Sequence, residues 1–567
     1  MRLFALLALS AVLVPWVQCA PLADSDAKLA DEFFVWRAKT APYTNDDIPR
    51  MDRPFGVRRD WSRVAVEQRR ADLAAFEARW RKLEDPGASV AHQVDHRLLG
   101  SAIARVHWEL DILKQWQRDP NFYLEQTLAP MVEALTLPGP YDEASSREIL
   151  ARLDAVPGLI QQAEATLQAP PAPFARLAID SLAGIRGKFQ QVAATLPSQT
   201  TIPAADWQAS ADRAAAALEG YRSWLEQSLP ALPAHASLGR AKYEWFLQNV
   251  ALIPYTPEQL LVQAELEASR AEAFEALEAN RNRDVPPLTM AATLDEFIAR
   301  NQKAEASVRE FLESRGILTL PPWLHHYTLR AMPPYLAPLA DFAEADDFTS
   351  PARLDQDGIR YMNPPSPDAG FFWVSDAMDP RISIVHEGTV GHYGQLCISW
   401  KHPDPIRRHY YDSGANEGIG FYAEEMMLQA GLYDDSPHSR EIVYRQMRLR
   451  ALRVIVDVKI ALGQFTLDQA ASFLERQVPM TAASARAEVI ETTEAPGQKI
   501  SYQTGKLQIE EMMQEARLKQ GDAFSLREFH DSVWLNGNVP IALQRWEYLG
   551  ADDEMKKLGV WTTLPAE

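Results

Sequence analysis

His386-Glu387-Gly388-Thr389-Val390-Gly391-His392 places two imidazoles and a carboxylate within seven residues, led in by apolar Ile382-Ser383-Ile384-Val385. Zinc takes histidine nitrogens and carboxylate oxygens, and a catalytic zinc keeps one position for water. The common helical arrangement sets two histidines four residues apart, on one face, with a glutamate beside the first. Here they are six apart. On a regular helix that spacing turns them roughly 120° away from each other. Two readings follow. Either this is an ordinary buried helix with incidental histidines, or Gly388 and Gly391 break the helix and bring His392 round. The second makes His386 and His392 metal ligands and Glu387 the general base. It requires the chain to leave helix between Gly388 and Gly391.

A third ligand is sought downstream, in Asn416-Glu417-Gly418-Ile419-Gly420-Phe421-Tyr422-Ala423-Glu424-Glu425. Glu417 and Glu424 are seven apart and share a helix face, whereas Glu425 is off it. Glu417 is read as the ligand and Glu424 as the group that orients a ligand imidazole from behind. The bland alternative for any one of these glutamates is a solvated helix face. Asn416 reads as a helix N-cap.

Farther from the motif, composition bounds the class. The chain has 567 residues, of which 47% are hydrophobic, with 15 Trp, so it can bury a large core. A net charge of −20 argues against a general nucleic-acid binder. Arg2 followed by the apolar run Leu3 to Val17 reads as a secretory signal over residues 1–20, too short to span a bilayer. Trp16-Val17-Gln18 before Cys19 is a poor lipobox, so lipid anchoring is not expected. After signal removal only Cys397 remains, which rules out an intramolecular disulfide, and no later segment suits membrane insertion. The expected location is periplasmic or secreted.

Helical signals dominate. Trp61, Val64, Leu73, Phe76 and Trp80 return to one face between Asp60 and Leu83. Thr256-Pro257-Glu258-Gln259, Thr293-Leu294-Asp295-Glu296 and Thr466-Leu467-Asp468-Gln469 are capping boxes, and Gly316 ends the helix begun at Thr293. The Pro-rich stretches 169–173 and 197–203 read as connectors between helices. Between Leu320 and Asp379 helical period gives way to Pro, Gly, Tyr and Trp. There, His326–Arg330 and Gly370–Val374 are β-prone and predict a small sheet. The expectation is a mostly α fold, a large helical body with a central cleft and a small β element just before the motif. The regions are the signal 1–20, a helical region 21–319, a mixed segment 320–380 and a helical catalytic region 381–567, packed together as one bilobed body.

Four ordered motifs then carry a resemblance. They are His386-Glu387-x-x-x-Gly391-His392-x-x-Gln395; Glu417-Gly418-x-x-x-Tyr422-Ala423-Glu424; Pro496-Gly497-Gln498-x-x-Ser501-Tyr502-x-x-Gly505; and Leu526 to Asp531 with Asn536-Gly537-Asn538-Val539-Pro540. Together they resemble the bacterial family catalogued as domain of unknown function 885. The resemblance implies a helical peptidase-like fold similar to the thimet oligopeptidase and thermostable carboxypeptidase groups, with a cleft between helical walls. Those groups place their glutamate ligand at a spacing like that from His392 to Glu417. The chain departs from the family at Val390, where Pro is usual, at Tyr393, where His is frequent, at Ile419, where Trp is usual, and at Ala461, where a His is expected. If that His steadies an oxyanion, Tyr502 is the best remaining donor; the alternative for Tyr502 is a packed aromatic. Arg450 and Arg453 either hold a substrate carboxylate or pair with Asp457. Cys397 reads as core packing. The function expected is an exported zinc metallopeptidase with one Zn2+ per chain, acting on short peptides or a small amide and not on nucleic acid. Its rivals are an amidohydrolase acting on a non-standard amide and a non-catalytic binding protein of the same fold.

Overall fold

Ser62 caps a helix over Arg63–Arg81 whose buried face carries Val66, Leu73 and Trp80. Val64 falls outside that face and is 81% exposed, because helical period places it on the side opposite Leu73. The computed structural model describes residues 24–44, 53–234, 237–343, 346–559 and 564–565. The expected signal at 1–20 and most of the loop expected at 45–55 lie outside the described residues. Helices Val90–His107, Pro120–Thr136, Glu143–Thr166, Ile185–Thr195 and Ala204–Ser228 share a core that includes Leu98, Leu128, Leu153, Phe189, Trp207 and Leu218. The Pro-rich stretches are short connectors within this packing.

The remaining helices build the surroundings of the motif. Helix α1 (Pro257–Arg281) opens with both halves of the Thr256 capping box in place, and α2 (Leu294–Arg315) closes on Gly316 with φ +63°. Strands β1 (Tyr327–Ala331), β2 (Asp346–Asp347) and β3 (Gly358–Met362) form a sheet in the order β1-β3-β2. β1 runs parallel to β3, and β2 antiparallel to it. Then follow α3 (Phe371–Met378), α4 (Arg381–Glu387), α5 (His392–Trp400), α6 (Ser413–Ala430), α7 (Pro437–Ala461), α8 (Ser501–Gln520) and α9 (Leu526–Leu535). The fold is mostly α. Gly370–Val374 is not a strand: Gly370 caps α3, and the sheet is completed by β3 instead. Its aromatic run lacks the alternation that gives a strand one buried and one open face.

Two contacts set the geometry of the motif. A Cβ on Gly418 would lie 2.6 Å from Gly505 Cα, and one on Gly505 would lie 2.1 Å from Gly414 O. The backbones of α6 and α8 therefore touch, which carries Glu417 and Tyr502 to the same place. The sheet packs on α5, where Tyr393 stacks on Tyr327 with ring centroids 5.3 Å apart, and Gly358 leaves room for the Tyr393 ring. α1 lies along α7, tied by Arg445 to Glu275 at 2.7 Å and Arg440 to Glu278 at 3.1 Å. A central cleft is not shown. One cavity is lined by Tyr43, Arg53 and Arg152, another by Gln115, Asp119 and Glu494, and neither includes a residue of the motif. Among the described residues no helix is long and apolar enough to cross a membrane.

Candidate metal centre

The helix breaks where the histidine spacing requires it. α4 ends at Glu387; Gly388 (φ −91°, ψ −140°) and Gly391 (φ −93°, ψ −132°) are not helical, and α5 begins at His392. Gly394 N–H donates to Gly388 O at 3.1 Å across the break. A Cβ on Gly391 would lie 1.6 Å from His386 O, so only glycine permits this turn. The imidazoles of His386 and His392 end 4.7 Å apart, centroid to centroid, with planes at 76°.

Distant elements hold the break. Thr389 Oγ1 donates to Oε1 of buried Glu305 on α2 at 3.1 Å. Trp534 Nε1 on α9 donates to Val390 O at 2.7 Å. Neither partner carries a local sequence signal, and sequence reasoning missed both.

Glu417 Oε2 lies 3.3 Å from His386 Nε2 and 3.1 Å from His392 Nε2. Bonds of zinc to such ligands at tetrahedral angles set the donors about 3.4 Å apart, so this donor set fits a single zinc ion. Proximity alone also admits Glu387, since donor atoms of His386, Glu387 and His392 lie within 4.8 Å of one another. Of the two glutamates, Glu417 is the better placed, because its oxygen meets both Nε2 atoms, whereas Glu387 Oε2 is 3.9 Å from His392 Nε2. Exposure points the same way: the Glu387 side chain is 27% exposed and the Glu417 side chain 9%. The glutamate left facing outward is the one read as the base.

Behind the imidazoles, Glu424 Oε1 lies 2.7 Å from His386 Nδ1, which leaves Nε2 on the side of Glu417. Arg450 Nη2 lies 2.8 Å from the same oxygen. Arg450 is thus engaged with Glu424 inside the protein. Arg453 pairs bidentately with Glu488 at 2.8 and 2.5 Å. Neither arginine pairs with Asp457, contrary to one of the two expectations. The Asp457 carboxylate instead accepts from Tyr243 Oη at 2.9 Å and from the backbone N–H groups of Gly497 at 3.0 Å and Lys499 at 3.2 Å. The turn at Gly497, φ +91°, aims those N–H groups at it. Tyr502 lies nearly parallel to the His386 ring, at 6.0 Å and 12°.

Gly420 was also missed, although its position between Glu417 and Glu424 on one face was readable from helical period. A Cβ there would lie 3.1 to 3.2 Å from atoms of both imidazoles. Asn416 is not a cap: Asp412 caps α6, accepting from Ala415 N at 2.8 Å, and buried Asn416 bonds to Gln395. Ala461 lies eleven residues beyond Arg450, roughly 16 Å along α7. A side chain there reaches the apolar cluster of Leu238 and Tyr243 rather than the centre. Cys397 is buried, as expected.

The electrostatics suit a cation. Burial opposes charge on His386, but Glu417 and Glu424 outweigh it and raise the imidazole to about 9. Burial likewise opposes charge on Glu417, yet the two imidazoles hold its carboxyl well below the usual value. Burial raises Glu387, and His386, His392 and Arg360 more than offset this, so it too is lowered. Burial first, and then the Glu417 carboxylate, push the Tyr502 phenol well above its usual value. Because Glu424 bonds His386 from behind, a zinc ion held by this donor set would be bound about 10- to 100-fold more weakly in Glu424→Gln, read by competition with a chelator.

These elements define a mostly helical protein with a His-His-Glu donor set at a helix break. The chain belongs to the family described as bacterial protein of unknown function (DUF885), whose family model matches residues 55–546. Two solved structures are similar. One, described as a candidate lipoprotein of unknown function from Shewanella oneidensis, is 20% identical, with 93% of this chain and 100% of that one covered, at a TM-score of 0.69. The other, a candidate lipoprotein from Colwellia psychrerythraea, is 16% identical, with 93% and 97% covered, at 0.70. At these identities the likeness shows the fold. No curated protein matches the chain.

Proposed function

We propose that this protein is an exported zinc metallopeptidase that hydrolyses short peptides. The observation that carries the proposal is Glu417 Oε2 in reach of both histidine Nε2 atoms, with Glu387 left on the more open side. His386, His392 and Glu417 would hold the ion. When bound, zinc lowers the pKa of water and polarises a carbonyl.

The protein's own groups supply the remainder. Glu387, kept anionic by its neighbours, takes a proton from the attacking water and delivers it to the leaving amine. Tyr502 keeps its phenolic proton and donates it as a hydrogen bond to the carbonyl oxygen as charge builds there. Glu424 and Arg450 hold His386 in the required tautomer and orientation. Export rests on the apolar segment at residues 3–17 and on the description of both structural neighbours as candidate lipoproteins. That description brings an anchored form at Cys19 into the proposal beside the free one.

Metal analysis tests the reading. Protein purified without chelator is expected to carry about one zinc per chain, and His392→Ala to carry none. Absence of any stoichiometric divalent metal from the unaltered protein overturns the proposal.

A further inference from the structure

Of the thirteen tryptophans among the described residues, only Trp373 is open to solvent, at 43%; the others are buried or half-buried. Tryptophan carries a large apolar surface that is mostly covered in folded proteins, and aromatic anchors dominate binding sites. An open tryptophan next to chemistry therefore requires a reason.

Trp373 stands in the first turn of α3, and its ring lies over the Arg360 guanidinium at 5.2 Å. Arg360 in turn bonds Ser383, one turn before Glu387 on α4, and its charge acts on the Glu387 carboxylate. The preceding residue, Phe372, lies over Arg450 and Arg453 at 5.2 and 5.3 Å. Arg450 is the residue paired with Glu424 behind His386. The first turn of α3 thus stretches from the arginine beside the base to the arginine behind a ligand. Phe371 and Phe372 pack edge to face at 5.3 Å and are half-buried, which leaves the Trp373 ring as the open part of this aromatic turn.

Charge around the ring narrows what it receives. Arg360 faces Asp376 at 3.5 Å and Asp346 at 3.7 Å, and its charge also acts on Glu387. One cation already shared by three acidic groups has no spare charge for a further acidic side chain, and burying an unpaired anion there is costly. A flat apolar side chain meets no such cost and covers the indole face.

We infer that Trp373 is the wall of the subsite for the substrate side chain beside the scissile bond, and that the substrates are short peptides with an aromatic or bulky apolar residue there. This rests on the peptidase reading above.

The test is binding without turnover. In the Glu387→Gln protein, the affinities of Ala-Ala-Phe-Ala, Ala-Ala-Ala-Ala and Ala-Ala-Asp-Ala are measured by calorimetry, with metal content determined on the same samples. The phenylalanine peptide is expected to bind about tenfold tighter than the alanine peptide, and the aspartate peptide weakest. Adding Trp373→Ala closes the gap between the first two, and Trp373→Phe restores most of it, with metal content unchanged. The inference is overturned if the gap survives Trp373→Ala, if Trp373→Ala weakens all three peptides alike, or if no peptide binds at millimolar concentration. An aromatic preference that depends on Trp373 in protein holding no metal supports the subsite while removing the metallopeptidase reading.

Discussion

Glu387→Gln is expected to reduce peptide turnover by about 10²- to 10⁴-fold while zinc stays bound. Glutamine keeps the size and shape of the side chain but has no basic oxygen to take the water proton. The proposed ligand set is untouched, because Glu417 Oε2, and not Glu387, is the oxygen in reach of both His386 Nε2 and His392 Nε2. The partner experiment is Glu417→Gln, for which most of the zinc is expected to be lost. Turnover on a short-peptide panel and metal stoichiometry, measured on both variants, separate base from ligand. If Glu387→Gln loses the metal and Glu417→Gln keeps it, the two roles are exchanged. If Glu387→Gln retains full turnover with its metal, the hydrolytic mechanism fails.

Gly391→Ala is expected to destroy the centre and to destabilise the fold by more than the ~1–3 kcal/mol typical of overpacking. The added Cβ would sit 1.6 Å from His386 O and 2.8 Å from Val385 O, and both are backbone atoms that no rotamer change can move aside. Relief requires α4 and α5 to separate, which pulls His392 away from His386. Urea unfolding in the presence of chelator measures the strain without any metal contribution, and zinc content measures the site. Gly388→Ala is the milder control, since its Cβ would meet Ile384 O at 2.7 Å. The expected order of damage is Gly391 above Gly388. Equal, small losses at both positions would show that the break is a soft loop and not a turn locked by close backbone approach.

Much of the fold was readable because it is written in local patterns. Thr256 and Thr466 form full capping boxes, and Gly316 ends its helix in the left-handed conformation. Thr293 caps its helix, but Glu296 reaches back to Ala292 N, one residue short of a reciprocal box. These devices act over three or four residues, so a one-dimensional reading finds them. Gly370–Val374 shows where that reading stops. β-Propensity records how well side chains suit a half-buried pleat. These aromatics were instead needed at a helix start, packed on Arg360, Arg450 and Arg453.

The candidate site divides along the same line. For both histidines to reach one metal, their six-residue spacing required a helix break, which the two glycines could supply, and a glutamate pair seven apart shared one face of a helix. Both points follow from helix geometry alone, and α4, α5 and α6 conform to them. Tertiary structure alone decided which carboxylate meets both imidazoles, that Arg450 serves Glu424, and that Glu305 and Trp534 hold the break from 84 and 144 residues away. Charge pairing and hydrogen bonding depend on distance in space, and the sequence sets that distance only once α6 and α8 have closed on Gly418 and Gly505.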